Sequence, residues 1–355
     1  MATTLADPLP AGFYFYRIHT GAVAERAIGR GNHYITITCM KQPAIFLLLV
    51  LSLSAHAQTR PQPSMYVFNY SFINPAAIAA EDYSQVRVGY RRQWVGIDGA
   101  PATGWLNAEM RLGKSDADAT ASISKGHGLG VNLFHEEIGP YKTINVNIGY
   151  AYHLPLSQDL TLSAGFAGGF QRTRFDMSKS IYPDQAADPA AIAQASISNK
   201  YSPDLNAGIM VSGSRFFAGV SLLQIIPSRF IDEEDSEAKY KTQLLGMLGY
   251  TIPITDNGSA FLISGVAKSD FANPLRYDVN ARLRYQTLGW IGASYRKEDA
   301  LGVSVGLNVT PAISAGYMYE WGIDKRISTY SRGSHEFCVG FRFLNGKPYQ
   351  SKMGW

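Results

Sequence analysis

Between residues 84 and 343 the chain repeats stretches of eight to twelve residues in which every second side chain is apolar and the others are small or polar. A period of two puts alternate side chains on opposite faces of an extended strand. In the last stretch His335, Phe337, Val339, Phe341 and Phe343 share one face, and Ser334, Glu336, Cys338, Gly340 and Arg342 share the other. Leu301, Val303, Val305, Leu307 and Val309 alternate in the same way with Gly302, Ser304, Gly306 and Asn308. Ile144, Val146, Ile148, Tyr150 and Tyr152 do so with Asn145, Asn147, Gly149 and Ala151. A soluble sandwich would carry many Lys and Glu on its wet face. Here the wet positions are mostly Gly, Ser, Asn and Ala with some Arg, which suits the crowded inside of a closed barrel.

The pattern predicts an all-β fold, a closed transmembrane antiparallel β-barrel of about fourteen strands with a short N-terminal helical segment ahead of it. The strands are expected at 84–94, 101–112, 127–135, 142–153, 159–172, 204–212, 215–223, 240–251, 258–268, 276–285, 288–296, 300–309, 311–321 and 333–343. Barrels of this kind have short periplasmic turns and longer outward loops. The long connections 173–203, 224–239 and 322–332 fall on one side of this count, and short ones such as 213–214 and 286–287 fall on the other. Two connections fit poorly: 113–126 is long for a periplasmic turn and 297–299 short for an outward loop.

Composition supports the barrel. Of 355 residues 12% are aromatic, with 21 Tyr, and only 17% are charged, as expected where aromatic girdles mark both membrane interfaces. No stretch approaches the roughly 18–20 consecutive apolar residues of a spanning helix. A net charge of +4 is too small to point to nucleic acid.

The longest apolar run, 44–53, follows Met40 and Lys41 and ends in Ala55-His56-Ala57, so 40–57 reads as a signal peptide cut before Gln58. Residues 1–39 are then a mispredicted extension; the other reading, a genuine extension on a signal anchor, meets the difficulty that ten apolar residues are too few to span. Residues 58–83 form a periplasmic or luminal segment, 84–343 the barrel and 344–355 a tail. Only Cys39 and Cys338 occur, so the exported chain forms no internal disulfide, and Cys338 reads as a small lining residue.

Catalytic motifs are absent: there is no nucleophile elbow, P-loop, His-Glu-x-x-His or paired cysteine, and the expectation is a protein that is not an enzyme and takes no cofactor or metal. Beyond the leader the candidate histidines are His127, His135, His153 and His335, and none has a recognisable companion. His135-Glu136-Glu137 reads as polarity at an outward rim. Asp188-Pro189 suggests a short helix over 190–195 in the loop 173–203, and the acidic residues of 232–237 suit solvated surface or weak calcium capture. Arg87, Arg91 and Gln93, and likewise Arg276, Arg282 and Arg284 with Asp278 and Asn280, have luminal parity. They can brace the interior as an ion network or line a substrate track, and the two roles can coexist.

Several short motifs, in order, resemble the PorP/SprF family of type IX secretion system membrane proteins from Bacteroidetes. They are Asn74-Pro75-Ala76, Tyr90-Arg91-x-Gln93-Trp94, Pro101-x-Thr103, Tyr201-Ser202-Pro203-Asp204, Tyr295-Arg296 with Asp299, and Gly333-Ser334-His335-Glu336. The likeness covers about 62–343. It implies a Gram-negative outer-membrane barrel that serves secretion or gliding motility through protein contacts, binding or anchoring secreted cargo. It also implies as partners the translocon, periplasmic or peptidoglycan-linked components and a cargo C-terminal sorting domain. An outer-membrane diffusion channel or small-solute transporter is the alternative.

At those motif positions Asn74, Pro75 and Ala76 read as an N-cap, a proline at the first helical position and a helix former, near the periplasmic mouth or in the lumen. Arg91 and Gln93 point inward, Tyr90 and Trp94 toward lipid or its interface, and His335 and Glu336 lie near the outer rim. These residues serve barrel architecture or cargo contacts.

Overall fold

The computed structural model describes residues 64–81, 83–112, 126–176, 199–229, 239–271 and 273–343. The leader with Ala55, Ala57 and Gln58, the helix expected within 188–195, the acidic run 232–237 and the tail 344–355 lie outside the described residues.

Fourteen antiparallel strands close into a barrel. They are β1 (Ser84–Arg92), β2 (Ala102–Leu112), β3 (Gly126–Ile138), β4 (Tyr141–Pro155), β5 (Leu160–Phe175), β6 (Lys200–Gly213), β7 (Phe216–Leu223), β10 (Gln243–Pro253), β11 (Ala260–Ser269), β12 (Arg276–Tyr285), β13 (Gly289–Arg296), β14 (Ala300–Thr310), β15 (Ile313–Gly322) and β16 (Ser334–Phe343). A separate two-residue hairpin, β8 (Ser228–Arg229) with β9 (Lys239–Tyr240), sits in the connection after β7. Closure is made by β1 against β16, in register from Ser84 opposite Phe343 to Arg92 opposite His335. Among the fourteen barrel strands no edge is left unpaired, which removes the usual aggregation hazard of a sheet.

Each predicted strand is present, with shifted ends. The strand expected at 240–251 starts instead at Gln243, because Lys239–Tyr240 pair with β8. Strands β3 and β4 run on to a two-residue connection at 139–140, so His135, Glu136 and Glu137 are not a loop rim. They alternate along β3, with Glu136 buried in the lumen and His135 and Glu137 facing out.

Parity does what alternation required. Ile148, Leu248 and Ile291 project from the outer wall more than 60% exposed, and Val303, Val305, Phe337 and Phe341 join them. Asn107, Asn132, Asn145, Asn147 and Asp204 point in and are buried. The strand ends that flank 176–199, 224–242 and 323–333 lie at one end of the barrel, and both β1 and β16 meet the other end with Ser84 and Phe343. The long-loop end is the outward one in barrels of this kind.

The hydrophobic core lies inside the lumen. Burial in residues 64–81 has no two-residue period: Met65, Tyr66, Val67, Phe68, Tyr70 and Ile73 are each at most 3% exposed, and Asn69 and Asn74 are buried with them, so the segment is enclosed on every side. It forms three single 3₁₀ turns, Tyr66–Phe68, Tyr70–Phe72 and Pro75–Ala77, in place of an α-helix. Inward-facing wall residues meet it. Phe68 packs on Trp290 with ring centres 5.6 Å apart, Tyr70 on Phe217 at 5.0 Å, and Phe72 on Trp105 at 5.9 Å and Phe134 at 6.2 Å. These tilted and edge-on pairs each contribute beyond plain burial, about 0.5–1.5 kcal/mol. The segment is therefore a plug held by its own apolar surface.

Candidate functional site: the plug and the vestibule above it

Small wall residues let the plug backbone approach. A Cβ at Gly165 would collide with the Pro75 carbonyl, and one at Gly128 would stand 2.5 Å from the Ile78 oxygen. The luminal glycines so evident in the alternation are a bed for this segment.

Once the plug is buried, its backbone polar groups need partners, because an unpaired one costs roughly 1–3 kcal/mol. The wall supplies them. Arg87 donates to the Phe68 carbonyl and Ser221 to the Ile73 carbonyl. His153 Nε2 lies 2.9 Å from the Ile78 oxygen and its Nδ1 lies 2.8 Å from Ser163. Arg111 donates to the Ala79 carbonyl at 2.9 Å, and the Ala79 N–H donates to Glu109 at 3.2 Å.

Asn74 is wholly buried and ties the middle of the plug. Its side-chain oxygen accepts from the Ala76 N–H at 2.9 Å, capping the Pro75–Ala77 turn, and its amide donates to the Ile209 carbonyl of β6 at 3.0 Å. Asn74→Ala removes both bonds and leaves the Ile209 oxygen to find another donor. The expected loss is about 1–3 kcal/mol, read as a lower urea midpoint for the refolded barrel in detergent or lipid.

The upper end of the plug is held by charge. The Ser64 and Met65 N–H groups donate to one Glu336 oxygen at 2.9 and 3.1 Å. Arg91 contacts Ser64 Oγ, lies 2.6 Å from Glu320 and 3.4 Å from Glu336. Arg296 donates to Ser64 Oγ at 2.9 Å and reaches Asp278 at 3.1 Å, Asp299 at 3.3 Å and Glu320 at 3.7 Å. Two guanidinium forks thus gather carboxylates from β12, β15 and β16 around the first described residue of the chain. Above them opens a cavity of about 480 Å³ whose walls include Gln93, Trp94, Thr103, Tyr277, Lys297 and Glu298.

About half of the motif residues collect here. Arg91, Arg296 and Glu336 hold the plug, and Thr103 donates to Glu136 at 3.4 Å in the same wall. Gly333, at φ +92°, accepts from the Val95 N–H through its carbonyl at 2.8 Å, and Ser334 Oγ accepts from the Trp94 N–H at 3.2 Å, so the ends of β1 and β16 are clasped together. The Pro101 carbonyl accepts from Gln93 at 2.9 Å. The strand expected to run to Trp94 stops earlier: β1 ends at Arg92, the chain turns with Trp94 at φ +49°, and Trp94 is among the residues that line the vestibule.

Other motif residues stand elsewhere. Tyr90 and Tyr295 face out. Ser202 and Asp204 face in and Pro203 faces out; Asp204 accepts from Asn145 and Asn147 at 2.7 Å each, away from the vestibule. His335 is on the outer face, 2.8 Å from the Tyr317 hydroxyl, and His127 stands among Tyr150 and Tyr152. Among the described residues no cluster suited to a metal ion occurs, and no helix is long and apolar enough to cross a membrane.

Sequence reading missed Ser64, Glu109, Ser221 and Glu320, and gave His153 no companion. The available signal was the run 64–80, which has no charged residue and carries Tyr66, Phe68, Tyr70 and Phe72 ahead of the first strand.

Comparison with known proteins extends these observations. No curated protein matches the chain. Solved structures with similar folds include the Acinetobacter baumannii outer membrane protein Omp33, 12% identical over 74% of this chain and 99% of that one with a TM-score of 0.43. The Ralstonia pickettii toluene transporter TbuX is 10% identical over 81% and 94%, with a TM-score of 0.45. The CymD monoaromatic hydrocarbon channel is 10% identical over 79% and 92%, with a TM-score of 0.44. The model of the type IX secretion system membrane proteins PorP/SprF matches residues 55–341, and the chain belongs to that family.

Proposed function

We propose that this protein is a sealed outer-membrane barrel that anchors or binds a secreted cargo protein for the type IX machinery, by protein contacts and without catalysis. The observation that carries this reading is the filled lumen: residues 64–81 occupy it, with Tyr66, Asn74, Ala76 and Ile78 fully buried. A barrel whose interior is packed to that degree is suited to presenting surfaces rather than to passing solute. Its apolar outer wall matches a bilayer, and the secretion family supplies the context.

The partners in this reading are a cargo C-terminal sorting domain at the outward mouth and the translocon with its periplasmic or peptidoglycan-linked components. The 40–57 leader delivers the chain to the periplasm for insertion. Cells lacking this chain should lose surface display or release of one or more cargo proteins, and affinity capture of the tagged barrel should recover a cargo C-terminal domain or the translocon. Unchanged secretion and display in the deletion strain would overturn the reading.

A further inference from the structure

The outer wall of β3 to β6 differs between its two ends. At the short-turn end its outward-facing side chains include His127, Tyr150, Tyr152, Leu162 and Ala164, and no Lys or Arg stands among them. At the long-loop end the same face carries Lys142 on β4 and Arg172 and Arg174 on β5. Lys142 stands directly opposite Arg174 in the register, and Arg172 is the next outward-facing position below.

Like charges facing each other across a strand pair are destabilising, so this placement calls for a counter-charge, and the chain supplies only part of it. Glu137, opposite Lys142 on β3, lies 3.0 Å from its Nζ. Arg172 has neutral neighbours: it donates to Asn199 Oδ1 at 2.7 Å and stands 5.8 Å over the ring of Tyr201, its register partner on β6. Arg174 is exposed and makes no hydrogen bond or ion pair with a described residue, and Asp176 just past the end of β5 has other partners.

The height of the patch is informative. Below it Ile144, Ile148, Phe166 and Phe170 project exposed from the wall. Ten residues separate Lys142 from Tyr152, which packs with His127 at the lower end. At about 3.3 Å per residue and about 40° of tilt they span about 25 Å along the membrane normal, the height of the apolar band of such barrels. The three cations therefore stand at the level of the outer-leaflet headgroups, directly above acyl-chain contacts.

We propose that this corner of β4 and β5 is a binding site for the phosphate of an outer-leaflet glycolipid. Arg172 and Arg174 present planar forks to the phosphate oxygens, Lys142 adds a third cation, and the acyl chains lie over Ile148, Phe166 and Phe170. A lipid fits better than free phosphate because the apolar face beneath the cations would give a free ion nothing. The site is local: Arg92, four strands round the barrel at the same rim, has only His335 and Ala102 as register neighbours.

The test uses the full-length barrel in a neutral detergent, with retained lipid counted by native mass spectrometry during titration with bisphosphorylated lipid A. The unaltered protein should retain one lipid A in preference to the dephosphorylated form. Arg174→Gln should weaken retention by about tenfold, the equivalent of one charge-assisted contact, and adding Arg172→Gln should weaken it further. Arg92→Gln should leave it unchanged. Arg174 is tied to no described residue, so Arg174→Gln should fold with unaltered heat-modifiable mobility and decides the matter alone if the double variant does not assemble. Equal retention by Arg174→Gln and the unaltered protein overturns the proposal, as does equal retention of the dephosphorylated lipid. An equal loss in Arg92→Gln would show general attraction to anionic lipid, and displacement of the lipid by excess inorganic phosphate would show a site for the free ion; either result also overturns it.

Discussion

Replacing Arg91 with alanine lowers the stability of the assembled barrel by about 3–5 kcal/mol, the expected loss when one partner of a buried ion network is removed. The guanidinium is the nearest cation to Glu320, at 2.6 Å, and also contacts Glu336 and Ser64, and all of these groups are at most 5% exposed. Without it Glu320 keeps the 3.7 Å contact to Arg296 and the Ser64 hydroxyl, and the Glu336 carboxylate keeps two backbone N–H donors. The check is the denaturant midpoint of protein refolded into lipid vesicles. Arg91→Ala combined with Glu320→Gln should recover part of the loss, since an amide is cheaper to bury than an unpaired carboxylate. A single variant as stable as the parent would show that the network does not brace the barrel.

Gly165→Leu should eject the plug from an otherwise complete barrel. Any side chain at that position points into the lumen at the Pro75 carbonyl and the Ala76 nitrogen, and these are backbone atoms that Asn74 ties to β6. Overpacking of a tight interior typically costs about 1–3 kcal/mol, and here the yielding element is the plug, because the wall strand is held on both edges by β4 and β6. Protease cleavage within 64–81 of the folded protein should rise by about tenfold or more, the equivalent of about 1.4 kcal/mol of lost closure. Unchanged protection in a barrel that still shows heat-modifiable mobility would mean that the segment is not lodged against β5.

Strand periodicity made the wall legible in advance. A residue such as Val303 or Phe337 has one dry neighbour, the bilayer, and its place follows from parity alone. The plug was legible only as an uncharged, largely apolar run, since Phe68, Tyr70 and Phe72 find their partners Trp290, Phe217 and Trp105 on separate wall strands, and no local period encodes such contacts. The tie of Asn74 to β6 was likewise hidden: Asn74-Pro75-Ala76 announces a capped turn without saying which wall strand its amide meets. Glycines at luminal parity suit a crowded interior, and at Gly128, Gly165 and Gly316 the crowding comes from this chain's own segment. The motif residues resolve in a similar way. Arg91, Arg296 and Glu336 meet because β1, β13 and β16 end at one height, an adjacency set by barrel closure rather than by spacing.

Sealing of the lumen is the claim on which the functional reading stands, and single-channel recording of the unaltered, full-length barrel in planar bilayers tests it most directly. Insertion without current steps is the expected result, with steps arising only when the plug is dislodged, as by Gly165→Leu. Stable open-pore steps from the unaltered protein would contradict it and turn the barrel into a conduit for small solutes.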